Sequence, residues 1–265
     1  MPAIRRSLRP GTIVASCLLL AACASGPSST ISLIPDQTED VSRKEGVFTQ
    51  AVKWKKTKPG CMGECPTLEV DSQVFPGIPK LTELVDHALA MMTGVEGSAP
   101  PEFLNIAEFE SYYWETAASK DTTLLAAKTR YRSKDLTVIE LSSWQYFTGA
   151  AHGISATQFL NWRNSTGRVL GMDDVLRPGK RPQYVAALRG AHQAWLATNP
   201  DFQADPDGYQ RLWPFQENDN FAFTDHGVVI KYDSYAIAPY SHGQPELTIP
   251  YSALRDVLRP EFLPS

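Results

Sequence analysis

Chemistry in this chain would have to come from a few residues. His152 stands in Thr148-Gly149-Ala150-Ala151-His152-Gly153, a small-residue stretch that brings an imidazole to a tight turn. Such a ring can contact a ligand, act as an acid or base near neutral pH, or tie its turn to a neighbouring strand. Tyr235, Pro239, Tyr240 and His242 crowd another short segment, Tyr235-Ala236-Ile237-Ala238-Pro239-Tyr240-Ser241-His242-Gly243. Tyrosines beside a proline on an irregular loop offer large amphipathic area with few rotors to freeze, which suits a protein or glycan partner. The same tyrosines could instead cover a sheet edge. Asp173-Asp174 is a carboxylate pair, but it opens Val175-Leu176-Arg177, where an acidic helix start accounts for it. Ser155 lies near His152, yet no orienting acid accompanies them to make a triad. No Gly-x-Ser-x-Gly elbow, phosphate-binding loop, His-Glu-x-x-His pair or dinucleotide fingerprint occurs. The residues favour a binding chain over an enzyme, without cofactor.

The 4 cysteines divide into two explanations. Arg5, Arg6 and Arg9 precede an apolar run over residues 11–22 that ends Leu20-Ala21-Ala22-Cys23. A membrane-spanning helix needs roughly 20 residues, so the run has the proportions of a signal peptide. Its end looks like a bacterial lipobox, which predicts a signal over 1–22 and a lipidated Cys23 held in the bilayer by acyl chains. Plain signal cleavage at Ala22 or Ala24 is the alternative. Ala24, uncharged, resembles outer-membrane sorting, so a cell with two membranes would hold the chain facing the periplasm. Cys17 leaves with the signal. Cys61 and Cys65 remain, in Gly60-Cys61-Met62-Gly63-Glu64-Cys65. An even pair in an exported chain reads as a disulfide. Zinc would want two more ligands at recognisable spacing, and redox chemistry would want two intervening residues.

Elements must position these groups. Hydrophobic residues make up 43% and charged residues 20% of the 265 residues, an ordinary globular composition. The 25 basic residues do not exceed the 29 acidic ones, so no basic surplus exists to hold nucleic acid. Residues 23–45 are small and polar and read as a flexible tether. Period-2 alternation predicts strands at 47–57, 67–75, 122–131, 136–147 and 157–162. Helical spacing predicts helices at 79–93, 101–116 and 182–198. A hairpin pairs 221–223 with 228–230, a last strand follows at 246–249, and a closing helix occupies 252–258. Strands come in runs with few helices between them. That argues α+β, with antiparallel sheets and a few packed amphipathic helices.

Three segments, in order, resemble one family. The first is Thr148-Gly149-Ala150-Ala151-His152-Gly153. The second runs from Phe159-Leu160-Asn161-Trp162 through Thr166-Gly167-Arg168 to Asp173-Asp174-Val175-Leu176. The third is Tyr232-Asp233-Ser234-Tyr235-Ala236-Ile237-Ala238-Pro239-Tyr240-Ser241-His242-Gly243 with Ile249-Pro250-Tyr251. Together they resemble the DUF3298 domain of RsiV-type proteins, over 134–265, and 46–133 is more loosely similar to the companion DUF4163 region. The resemblance implies an export-side binding module. The namesake is an anti-sigma factor whose outer domain binds lysozyme, and another relative carries this region ahead of a polysaccharide deacetylase domain. The expectation for this chain is a lipid-anchored envelope binding module without sigma-factor regulation. Its ligand-binding residues would be Tyr235, Pro239, Tyr240, His242 and His152, and its partner lysozyme or another wall-acting protein. An enzyme acting on cell-wall glycan and a structural envelope module are the alternatives. Ala150 replaces the family's usual glycine, which restricts the backbone there.

Overall fold

The computed structural model describes residues 48–93 and 102–264. The signal segment, Cys23, the tether and residues 94–101 lie outside the described residues. Strands β1 (Gln50–Thr57), β2 (Thr67–Val74), β3 (Thr122–Arg132), β4 (Leu136–Tyr146), β5 (Ile154–Arg163) and β6 (Arg168–Leu170) form one six-stranded sheet in that order. Every neighbouring pair is antiparallel except β2–β3. A parallel pair needs a long crossover. Helices α1 (Pro79–Met91) and α2 (Ile106–Thr116) lie within it. Pro79 opens α1, and Leu81, Val85 and Leu89 make its buried stripe. Asn105 caps α2, its side chain accepting from the Glu108 N–H at 2.9 Å.

After β6 come α3 (Met172–Val175), α4 (Arg181–Leu196), α5 (Pro200–Ala204) and α6 (Pro206–Leu212). A second, three-stranded antiparallel sheet follows, built from β7 (Phe221–Phe223), β8 (Gly227–Lys231) and β9 (Glu246–Pro250), and α7 (Tyr251–Leu254) comes after it. The architecture is α+β with largely antiparallel sheets, as the patterning predicted.

The burial pattern of β4 explains the layering. Ile139 and Leu141 point into a core shared with α1 and α2, where Leu81, Leu89, Phe109 and Tyr113 pack. Leu136 and Val138, on the opposite face of the pleat, join a second core with Tyr184, Leu188 and the strands of the smaller sheet. A strand buried on both faces must be covered twice, by helices on one side and by sheet and α4 on the other. Lys231 of β8 reaches across to Glu140 of β4 and, at 3.3 Å, to Glu246 of β9. The boundary expected at 133/134 falls in the β3–β4 turn. Those two strands pair along their lengths, so the two sequence regions share one sheet.

Some boundaries differ from the patterning. Helix α2 begins at Ile106 rather than 101 because Asn105 supplies the cap, while Phe103 packs into the core ahead of it. The closing helix is only Tyr251–Leu254; the segment beyond turns so that Leu258 bridges to Leu176 and Arg177 N–H donates to Val257 C=O. Cys61 and Cys65 are joined in a disulfide. It closes a ring so small that its chain-entropy contribution is about 2 kcal/mol, enough to pin a loop. Among the described residues no helix is long and apolar enough to cross a membrane.

His192 on α4 is 2% exposed, and neither ring nitrogen has a hydrogen-bond partner. It packs between Trp195 and Phe215. Burial, and then the nearby Arg189, holds it below the ordinary histidine range. The unfolded chain, with an ordinary histidine near about 6.5, takes up the proton first as pH falls. Stability from this site is therefore complete above about pH 6.5 and declines below it. His192→Leu should flatten the fall in melting temperature between about pH 7 and pH 5 relative to wild type. Parallel curves for the two proteins would count against it.

Candidate functional site

The site begins at an unpaired strand edge. β5 pairs with β4 along its length, but β6 covers only Asn161, Trp162 and Arg163 of its other side. Upstream, the outward N–H and C=O groups of β5 need partners. Side chains supply them. Asn220 accepts from Phe159 N–H at 2.6 Å and donates to Thr157 C=O at 3.0 Å. Asp233 accepts from Thr157 N–H at 2.9 Å. Asn161 meets β7 in the same way, donating to Phe221 C=O at 2.7 Å.

Asp233 also begins the loop that carries most of the predicted site. Its Oδ1 accepts from Gln244 Nε2 at 3.3 Å, and Tyr232 N–H donates to Pro245 C=O at 2.9 Å, so both loop ends are tied together. Within the loop, Ile237 and Ala238 are buried, and their neighbourhood is held by bonds from Tyr209 to Ile237 C=O and from Gln216 to Ala236 C=O. Pro239 leads into a 3-10 turn, Tyr240–His242, closed by Gly243 at φ 63°. That left-handed backbone is where glycine fits best.

The β4–β5 turn meets this loop. Thr148 N–H donates to the buried Asp121 at 2.7 Å, which anchors the turn. His152 Nδ1 lies 2.9 Å from Gly153 C=O. A carbonyl only accepts, so Nδ1 carries the proton and the neutral ring's Nε2 accepts from Tyr235 OH at 3.0 Å. The imidazole stacks on Tyr240, with ring centroids 4.1 Å apart, and Tyr240 OH donates to Gly153 C=O at 3.2 Å. Gly153 is required because a Cβ there would sit 2.4 Å from the Trp144 indole. Ala150 is not among the residues with positive φ, so the missing glycine costs nothing.

The structure thus brings His152, Tyr235 and Tyr240 into one cluster, with Pro239 setting the turn. His242 faces elsewhere, 2.8 Å from Asp201 of α5 with Trp195 at its edge. Tyr235 is held at φ 70° and remains 50% exposed. A bulky residue in that conformation is strained, and such strain collects at functional sites. Trp213 stacks on it, with centroids 6.2 Å apart, and Leu212 beside Trp213 is 73% exposed. Among the described residues no carboxylate contacts His152, and no His, Cys, Asp and Glu group is placed to hold a metal ion.

A family model described as "Protein of unknown function (DUF3298)" matches residues 173–252. The crystal structure of a DUF3298 family protein from Pseudomonas aeruginosa is 34% identical and superposes with a TM-score of 0.76, covering 83% of this chain and 97% of that one. The chain belongs to the DUF3298 family. A second DUF3298 structure, from Bacteroides fragilis, shares the fold with a TM-score of 0.63 at 20% identity, covering 82% of this chain and 95% of that one. Peptidoglycan-N-acetylmuramic acid deacetylase PdaC of Bacillus subtilis is 25% identical over 138 residues, 51% of this chain. The match spans 29% of that protein's length.

Sequence reasoning missed the groups that build this DUF3298 site from behind. Trp213 and Leu212 lie outside the quoted motifs; the Trp213-Pro214-Phe215 run reads from sequence as a core plug or a loop anchor, not as a part of this cluster. Asn220 and Asp233 act through strand-edge pairing that no periodicity reveals. Asp233→Ala should destabilise the protein by about 1 kcal/mol, the low end for a lost hydrogen-bond acceptor because water can reach the vacated place. Amide exchange at Thr157 should rise at the same time. Unchanged exchange there would remove Asp233 from the role of edge partner.

Proposed function

We propose that the chain is a lipid-anchored cell-envelope binding module that presents the Tyr235 face to a protein partner, lysozyme or another wall-acting protein. The observation that carries this reading is the exposed Tyr235, backed by the half-buried Trp213 ring that stacks on it, with exposed Leu212 next in sequence. Tyrosine and tryptophan on such supports are the usual binding anchors. The surrounding sequence is acidic. From Asp201 to Glu246 it carries Asp201, Asp205, Asp207, Glu217, Asp219, Asp225, Asp233 and Glu246 against Arg211 and Lys231. A cationic partner would be steered towards it. Within this reading Tyr235 makes contact, while His152 and Tyr240 hold it in place.

Anchoring rests on Leu20-Ala21-Ala22-Cys23 behind a charged start. Lipid on Cys23 would place the module at the envelope, on the outer membrane facing the periplasm where there are two membranes. A second reading, an enzyme acting on cell-wall glycan, draws support from the likeness to PdaC. It would use His152 as acid or base, without an orienting carboxylate.

Tyr235→Ala should weaken binding to lysozyme by about 2 kcal/mol, as loss of a hot-spot tyrosine does, with melting temperature nearly unchanged. Tyr240→Ala should instead lower the melting temperature by several degrees, because its ring is packed on His152. If wild-type protein ignores lysozyme at high micromolar concentration, that partner is wrong. Wall hydrolysis or deacetylation lost in His152→Ala would favour the enzyme. Cys23→Ser should abolish partition into a detergent phase; unchanged partition would refute the anchor.

A further inference from the structure

At the opposite edge of the six-stranded sheet, β1 extends beyond the helices that cover its neighbours. Its inward residues Val52 and Trp54 are only half-buried. Between them and the flanks of α1 and α2 lies a groove of about 600 Å³. Val70, Val85 and Ile106 line it with further apolar area. That volume is in the range of small-molecule sites, which run from roughly 300 to 1,000 Å³.

The polar groups of the groove are unbalanced. Lys56 pairs with Glu110 at 2.7 Å and lies over the Trp54 ring at 4.4 Å. That cation and that carboxylate offset each other. Glu83 and Asp86, on the α1 wall, have no such counterpart: neither forms a salt bridge among the described residues. Asp86 accepts only from Ile106 N–H, at 3.2 Å. The neighbouring His87 turns its Nδ1 to Leu104 C=O instead. Burial raises the Asp86 carboxyl above its ordinary value, against the lowering effects of the Ile106 N–H and of the nearby His87.

We propose that this groove binds a cationic amphiphile, an apolar tail lying along Val52, Trp54 and Ile106 with a protonated amine at Asp86 and Glu83. The tail removes exposed apolar surface from water, and the amine supplies the charge that the α1 wall lacks. A fatty-acid head would meet two carboxylates and be repelled. The site is independent of the Tyr235 face and of the reading built on it.

The test uses the full exported chain carrying Cys23→Ser, so that no acyl group of its own competes. Decylamine, decanol and decanoate are titrated by calorimetry below their micelle concentrations. Decylamine should bind saturably at one site, at least about tenfold tighter than decanol, which corresponds to one charge-assisted contact of about 1.4 kcal/mol. Decanoate should bind least. Asp86→Asn keeps an acceptor for Ile106 N–H and should erase the preference for amine over alcohol. Glu83→Gln, on an exposed position, should reduce that preference even if Asp86→Asn fails to fold. Val52→Trp should fill the groove and abolish binding of all three. Equal affinity for the three heads, no binding of decylamine, or full binding by Val52→Trp would each overturn the proposal.

Discussion

The unpaired edge of β5 is the constraint on which the rest depends. A three-residue β6 leaves the upstream half of β5 with backbone groups that sheet pairing does not reach. Unsatisfied, each would cost about as much as a lost hydrogen bond. Asn220 and Asp233 fill these places, while Asn161, on β5 itself, ties the strand to the second sheet with its side chain. Asn161 reaches β7. Asn220 stands just before β7 and also donates to Lys231 C=O of β8 at 3.2 Å. Asp233 begins the 233–244 loop. Satisfying one strand therefore fixes where the second sheet sits and where the loop starts.

The same arrangement makes the candidate site stiff. The 233–244 loop is tied at its ends, tied to β5, and plugged into the core by Ile237 and Ala238. Little freedom remains for Tyr240, whose ring must stack on His152. The β4–β5 turn is equally confined, between Asp121 and the Trp144 indole that rests against Gly153. Two confined segments facing each other hold Tyr235 in a conformation it would not choose alone. Conformational entropy is then lost on folding rather than on binding, which is what favours a preformed recognition surface.

Much of the fold was legible because its strands alternate and its long helices carry buried stripes. β2 and α1 follow those patterns closely. The misses have physical reasons. β6 and α3 are too short for any period to emerge. Helices α5 and α6, which the patterning did not predict, are also short; each is opened by an Asn or Asp cap followed by proline, at Asn199-Pro200 and Asp205-Pro206. The cap of α2 could likewise be read in Asn105 with Glu108 three residues on, a near capping box. At the candidate site, the short motifs marked residues that the fold brings together, His152 with Tyr235 and Tyr240, but not which of them stays open to solvent. That depends on which side chain satisfies a strand edge and which is left facing water, and both are tertiary facts.

His152 shows how the division arises. A histidine flanked by small residues is chemically able to do many things, and the structure narrows them by occupying its nitrogens. Nδ1 is committed to the carbonyl of the next residue, which fixes the tautomer. Nε2 is committed to the Tyr235 hydroxyl. With its face against Tyr240, the ring has become a spacer between two tyrosines. Protonation would turn Nε2 from acceptor to donor, and the Tyr235 hydroxyl could still meet it by rotating its own proton outward. Both nitrogens of His152 are thus engaged within the protein, while half of the Tyr235 surface stays open to solvent.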